Sequence, residues 1–370
     1  MPRPVSALCL LLVMLLHGSV TAQPLWESLN KKVISDHIIP NYLIFKKAAE
    51  TFNAETVSFC TAPTAQSQAK LRKHFLELNN SWMNIQHLRY GPVEDNQAYY
   101  RIQLYPDKRN AVGKHLAVQI KSSDLKKLKP ARFQRLSVAL QGISALEHLL
   151  YSDRYPLQTF VSTEETASFN CGLVRAIGQN LHNISNQLYD EWTSDQSAYA
   201  LLSNEKKFPL RGNDQEKALQ ARTEVTSLLY SGYSLQIQLI LEHKLMRPLN
   251  KSIKKAKPHF SEARFSKNSL QNIVINLQSL EKMFDITYAP LLDIKKQGPE
   301  LHKEIKAVYA KAIAQAKNIK TPLVQAVKSP DHRPKVEELL ETIKQLNQLT
   351  TGPMVETLVI PMRFNAMDGD

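Results

Sequence analysis

GISALEHLLYSD, residues 142–153, is the stretch on which the fold turns. Placed on an α-helix running from Leu136, the residues Leu136, Leu140, Ile143, Glu147 and Leu150 share one narrow arc. Apolar residues in that arrangement mark the buried face of a packed helix. A carboxylate in the middle of the stripe must be paired, hydrogen-bonded or protonated, because burying it charged and alone is costly. Three roles are open to Glu147. It pairs with an arginine (Arg101, Arg132 or Arg175) or with backbone groups of a neighbouring helix; it lines a polar pocket and ligates a metal, as glutamates of helical bundles do; or it is a general base. Ser144, one turn earlier, lies at the edge of the same face, and Gly142 and Ala145 permit close helix approach.

The same three-to-four spacing continues in both directions. β-Branched alternation is nearly absent and glycine is scarce, 11 residues in 370. Helices are predicted at about 24–36, 41–60, 65–89, 115–121, 131–151, 170–192, 214–249, 261–284, 299–317 and 334–349. The class is all-α. The turn Pro209–Asn213 is the best boundary, dividing the chain into two helical bundles in tandem, 23–208 and 213–370. ARFQRLSVALQGISALEHLL (131–150) aligns with ARFSKNSLQNIVINLQSLEKMF (263–284) with a two-residue shift, setting Glu147 against Glu281. That hints at a pseudo-repeat.

Residues 1–22 read as a signal peptide, with a short basic start, the apolar run LCLLLVMLL and Val20-Thr21-Ala22 as the cleavage site. The run is shorter than the ~20 apolar residues a membrane span needs, so the chain is expected to be exported, soluble and periplasmic, with no membrane span. Cleavage leaves Cys60 and Cys171, and a lone pair in an oxidising compartment is expected to form a disulfide. The formal charge of +13 reflects lysines crowded in the second half, as in KSIKKAKPH (251–259). Most recur at helical spacing opposite apolar residues, as on a solvated face. An anionic envelope polymer or acidic partner protein would suit the rest, whereas an exported chain without an aromatic-laced basic motif does not suggest nucleic acid.

Familiar catalytic motifs are missing. There is no HExxH helix, no phosphate loop, no dinucleotide fingerprint and no CxxCH. Residues 142–146 lack the closing glycine of a nucleophile elbow.

Several segments in order resemble the imelysin family: Asp36-His37-Ile38-Ile39-Pro40-Asn41-Tyr42, the Trp82 helix closing at Gly91-Pro92, Arg101-Ile102 with Tyr105-Pro106-Asp107, SVALQGISALEHLL, CGLVRAIGQNL from Cys171, and the terminal FNAMDGD. The resemblance implies an exported bacterial protein of two helical bundles, associated with iron uptake or regulation and once classed with metallopeptidases. It also implies a metal or ligand site at a GxHxxE motif near the bundle interface. Here the motif's glycine is Gly142 and its glutamate Glu147, but Ser144 stands at the histidine position. A hydroxyl is a poor substitute for imidazole as a transition-metal ligand. The remaining candidates are Glu147, Ser144 and Gly142 with Arg101 and Asp107. Arg101 against Glu147 would favour a small polar or anionic ligand; Asp107 beside it would favour iron or another hard cation. The expectation is non-enzymatic binding linked to iron acquisition. The alternatives are a metal-independent envelope scaffold with Glu147 structural, and third a metallopeptidase.

Overall fold

A computed structural model describes residues 25–161, 165–194, 197–205 and 207–361; the signal segment and FNAMDGD lie outside them. Among the described residues the secondary structure is helical, without strands. The main helices are α1 (Ile39–Thr61), α2 (Ala65–Ile85), α3 (Ala111–Ser122), α4 (Ile143–Tyr151), α5 (Glu165–Thr193), α6 (Asp214–Gln238), α7 (Ser269–Thr287), α8 (Gly298–Asn318) and α9 (Arg333–Thr351). No helix of the described residues is long and apolar enough to cross a membrane.

Local chemistry sets the helix ends. Thr64 and Ser67 form a reciprocal capping box at α2, and Asn213 with Glu216 forms another at α6. Each satisfies two backbone donors that a helix start leaves open. Along α1, Tyr42, Phe45, Ala49, Phe52 and Phe59 are fully buried at three-, four- and seven-residue spacing. That face packs on α2 and α5. Each large side chain contributes about 1.5–3 kcal/mol by leaving water. Helices α7, α8 and α9 pack in succession, α6 lies on α9, and α7 also crosses α2, so one apolar core runs through both halves of the chain.

Two helices widen into π-helical turns immediately before a proline. Ile34–Ile38 precedes Pro40, and Leu239–Met246 precedes Pro248. A proline inside a helix lacks its N–H and crowds the carbonyl four residues back. The wider turn relieves that conflict, and Asn41 Nδ2 donates to the His37 carbonyl at 2.8 Å. The helices expected at 24–36 and 41–60 therefore run on without a break from residue 25 to 61.

Two expected helices are corrected. Residues 131–151 are not one helix: a short turn at Pro130–Phe133 and a 3-10 turn at Val138–Leu140 precede α4, which starts only after Gly142. A Cβ at Gly142 would lie 2.1 Å from the Ile102 carbonyl oxygen. This glycine is needed for close backbone approach, not for a continuing helix. Likewise 261–268 is a loop, with Ala263 and Lys267 at φ of 49° and 59°, and α7 begins at Ser269. The two glutamates of the repeat alignment have different surroundings, since Glu281 meets Lys306 at 2.7 Å on the surface of α7 while Glu147 is buried.

The disulfide is corrected too. Cys60 and Cys171 are brought together between α1 and α5, but as free thiols. Cys60 Sγ also lies 3.5 Å from the Cys171 carbonyl oxygen. The neighbouring thiols pull apart in acidity, Cys171 lowered and Cys60 raised by their mutual hydrogen bond.

A buried histidine pair in the first half meets the second through Ser279. His37 Nε2 and His87 Nε2 are 3.1 Å apart. Ser279 Oγ donates to the Asn84 carbonyl at 2.6 Å, so it can only accept from His37 Nε2, 3.4 Å away. His37 then carries its proton on Nε2 and donates, while His87 accepts. Burial, aided by Lys282, lowers His37 to about 4, and burial with His37 lowers His87 well below 6.5. The folded state holds both rings neutral, whereas the unfolded chain protonates them near 6.5. Stability is therefore complete above that value and falls as pH drops toward 4, with His37 alone accounting for about 3 kcal/mol at the lower end. Urea midpoints at pH 7.5 and 4.5 should differ accordingly, although Glu147, whose acidity is weakened in the fold, acts in the opposite sense. A midpoint unchanged across this range would remove the neutral pair.

Candidate ligand-binding site

A cavity of about 410 Å³ opens where α4, the segment 103–110, the end of the second π turn and the loop 257–266 converge. Each of its elements has a reason to be there. Gly142 lets α4 start against the Arg101–Ile102 backbone. Ser144 Oγ donates to the Leu104 carbonyl at 3.1 Å, tying α4 to the 103–110 segment. Asp107 accepts from the Ala111 and Val112 amides at 2.7 and 3.0 Å, satisfying the first open donors of α3.

Glu147 lies at the back of this cavity, 8% exposed. Its Oε1 accepts from the Phe265 amide (3.0 Å), the Ser266 amide (2.9 Å) and the Ser266 hydroxyl (2.8 Å). Of the three roles open to it, backbone pairing is the one the geometry displays, with a loop instead of a helix as the partner. Burial raises its pKa, opposed by the Ser266 bonds and the charge of Arg264. Arg101 is elsewhere: it donates to Gln141 Oε1 at 2.7 Å and Asn180 Oδ1 at 2.8 Å. It does not line the cavity.

The donor set is poor for a metal ion. Both Asp107 oxygens already accept from α3, Glu147 Oε1 already accepts three hydrogen bonds, and Ser144 offers a hydroxyl oxygen in place of an imidazole. Among the described residues no group of three or more His, Cys, Asp or Glu side chains is disposed to hold one.

The charged lining groups without an ion pair are cationic. Lys108, Arg109, Arg247 and Arg264 line the cavity, and none forms an ion pair among the described residues. The Arg247 guanidinium stacks over Phe260 at 3.9 Å, and that of Arg264 over Phe265 at 4.3 Å. Arg264 also donates to the His259 carbonyl. His148, on α4 beside Glu147, packs edge-on against Phe265. Burial and Arg264 lower it to about 4, so its ring is neutral at pH 7.

Behind the cavity lies a buried ion pair. Lys244 Nζ and Glu262 Oε2 are 2.7 Å apart with side chains 1% and 2% exposed. Lys244 also donates to Gln86 Oε1 (2.8 Å) and Asn276 Oδ1 (2.6 Å). Glu262 accepts from Gln86, Gln103 and Asn272. Burial lowers the Lys244 pKa against the pull of Glu262.

Sequence reasoning missed Arg247, Arg264, His148, Lys244 and Glu262. Two signals were available. Lys244 continues the stripe Tyr233, Ile237, Ile240, as Glu147 continues its own. On α7, Ser269, Asn272, Asn276 and Ser279 form a polar stripe at three-to-four spacing within an apolar helix. All four are buried. Nothing in the sequence signals that Arg247 and Arg264 meet at one cavity.

Comparison with known proteins agrees with the helical architecture. A family model described as Imelysin matches residues 38–350. No curated protein matches. Among solved structures, an imelysin-like protein from Psychrobacter arcticum 273-4 is 19% identical with a TM-score of 0.70, covering 91% of this chain and 98% of its own. Another, described as an iron-regulated protein A precursor from Parabacteroides distasonis ATCC 8503, is 12% identical with a TM-score of 0.67, covering 89% and 95%. At these identities the likeness speaks for the fold.

Proposed function

For this chain, which belongs to the imelysin family, we propose non-enzymatic binding of a small anionic ligand in the cavity beside Glu147. One observation carries the reading: the carboxylates lining the cavity are engaged by the protein's own donors, while none of its four cationic side chains forms an ion pair among the described residues. Such a site attracts anions and repels bare cations. A link to iron therefore runs through an anionic ferric chelate, not through a naked ion. The family and the iron-regulated precursor among the similar structures support that link. The basic start, apolar run and Val20-Thr21-Ala22 of the first 22 residues support export to the periplasm, where such chelates arrive and envelope partner proteins reside.

The test is calorimetry on the chain from Gln23 onward, titrated with small organic anions, ferric citrate and unchelated ferrous iron. Anions and the chelate should bind, more weakly as salt rises, and ferrous iron should give no heat above dilution. Tight ferrous binding, or no response to any anion, overturns the reading.

A further inference from the structure

Resting on the anion-binding reading, we propose that the ligand carries at least two carboxylates, one received by Arg247 and the other by Arg264. The half-buried cations give the valence. Lys108 and Arg109 are exposed and solvated, whereas Arg247 and Arg264 are half-buried in the cavity lining. The lining carboxylates are already engaged, Asp107 by the α3 amides, Glu147 by the Phe265 and Ser266 amides and Glu262 by Lys244. A monoanion would leave a half-buried guanidinium uncompensated, whereas a dianion compensates both.

The geometry gives the mode. The Arg247 and Arg264 guanidinium carbons lie over the Phe260 and Phe265 rings, 3.9 and 4.3 Å from their centroids. The ring contacts position each guanidinium, and apart from the Arg264 bond to the His259 carbonyl their N–H groups remain to receive a carboxylate through two parallel hydrogen bonds. Both phenylalanines belong to the 257–266 loop, which is fixed from behind by the three hydrogen bonds to Glu147. Ser269 Oγ adds a bond to the Glu262 carbonyl. The two receptors are thus held at a set separation before any ligand arrives, which lowers the ordering cost of binding.

Two further features suit a small dicarboxylate or hydroxy-polycarboxylate. Ser261, 5% exposed, lines the cavity with its Oγ lacking a hydrogen-bond partner among the described residues. A buried hydroxyl without a partner calls for one, and a ligand oxygen entering the cavity would supply it. Phe75, Val112 and Ile143 supply an apolar wall for the carbon spacer.

The experiment compares butyrate, succinate, tricarballylate and inorganic phosphate by calorimetry on the chain from Gln23 onward, in the wild type and in Arg247→Gln, Arg264→Gln and Arg264→Lys. Succinate and tricarballylate should bind at least about tenfold more tightly than butyrate or phosphate, and each glutamine variant should erase that preference. Arg264→Lys, which keeps the charge but loses the planar fork, should also lose most of it. Thermal midpoints near the wild-type value establish that the variants are folded; a variant that fails this check is replaced by the alanine substitution at the same site. Equal affinity for butyrate and succinate, tighter binding of phosphate, or an unchanged preference in the variants overturns the two-point assignment while leaving the anion site standing. Absence of binding by all four anions overturns both.

Discussion

Replacing Lys244 with methionine is expected to cost about 3–5 kcal/mol of folding stability, the range found when one partner of a buried ion pair is removed. The two side chains are 1% and 2% exposed and 2.7 Å apart, so Glu262 would be left charged where water cannot reach it. Gln86 and Asn276 would also lose a donor. Because these partners come from α2, α7 and the loop behind the cavity, the loss should fall on the packing of the two halves together. Urea unfolding followed by circular dichroism reads the change. The double variant Lys244→Met with Glu262→Gln should recover most of it, since a neutral amide needs no counter-charge. A single-variant loss below about 1 kcal/mol would mean that Glu262 takes up a proton at little cost or that water enters the site.

Replacing Glu147 with alanine is expected to cost about 3 kcal/mol, because it strands two backbone amides and a hydroxyl that are now satisfied by a single carboxylate oxygen. Glutamine keeps an acceptor oxygen in the same place, so Glu147→Gln should lose about 1 kcal/mol. The distinguishing feature is indifference to chelator: the wild-type midpoint should be the same with and without EDTA, and the variants should shift equally in both. A wild-type midpoint that drops in EDTA, and a glutamine variant insensitive to it, would return Glu147 to the role of metal ligand.

The two residues show what a stripe can and cannot tell. Glu147 was visible as a polar residue among leucines, and its burial follows from that position. Its partners were not visible, because Phe265 and Ser266 lie 118 and 119 residues away in the chain and in a loop whose ARF start reads as helix. Of the two residues drawn in from YYRIQLYPD, Asp107 lines the same cavity with its oxygens held by the start of α3, whereas Arg101 is committed to Gln141 and Asn180 outside it. Sequence pattern found the acid and one cavity neighbour, but not the loop that holds the acid.

Sequence by itself determined the helical class, most helix positions, the proximity of Cys60 to Cys171, and the special standing of Gly142, Ser144 and Glu147. These follow from local rules: apolar spacing, capping chemistry, scarcity of glycine and an ordered series of short motifs. Only the tertiary structure decided that residues 131–142 and 261–268 leave the helix, that the thiols stay unbonded, and that the cavity is lined by unpaired guanidinium groups. The reason is physical. Spacing along a chain fixes which face of a helix a residue occupies, but the charge of a cavity is the sum over segments that meet only after folding.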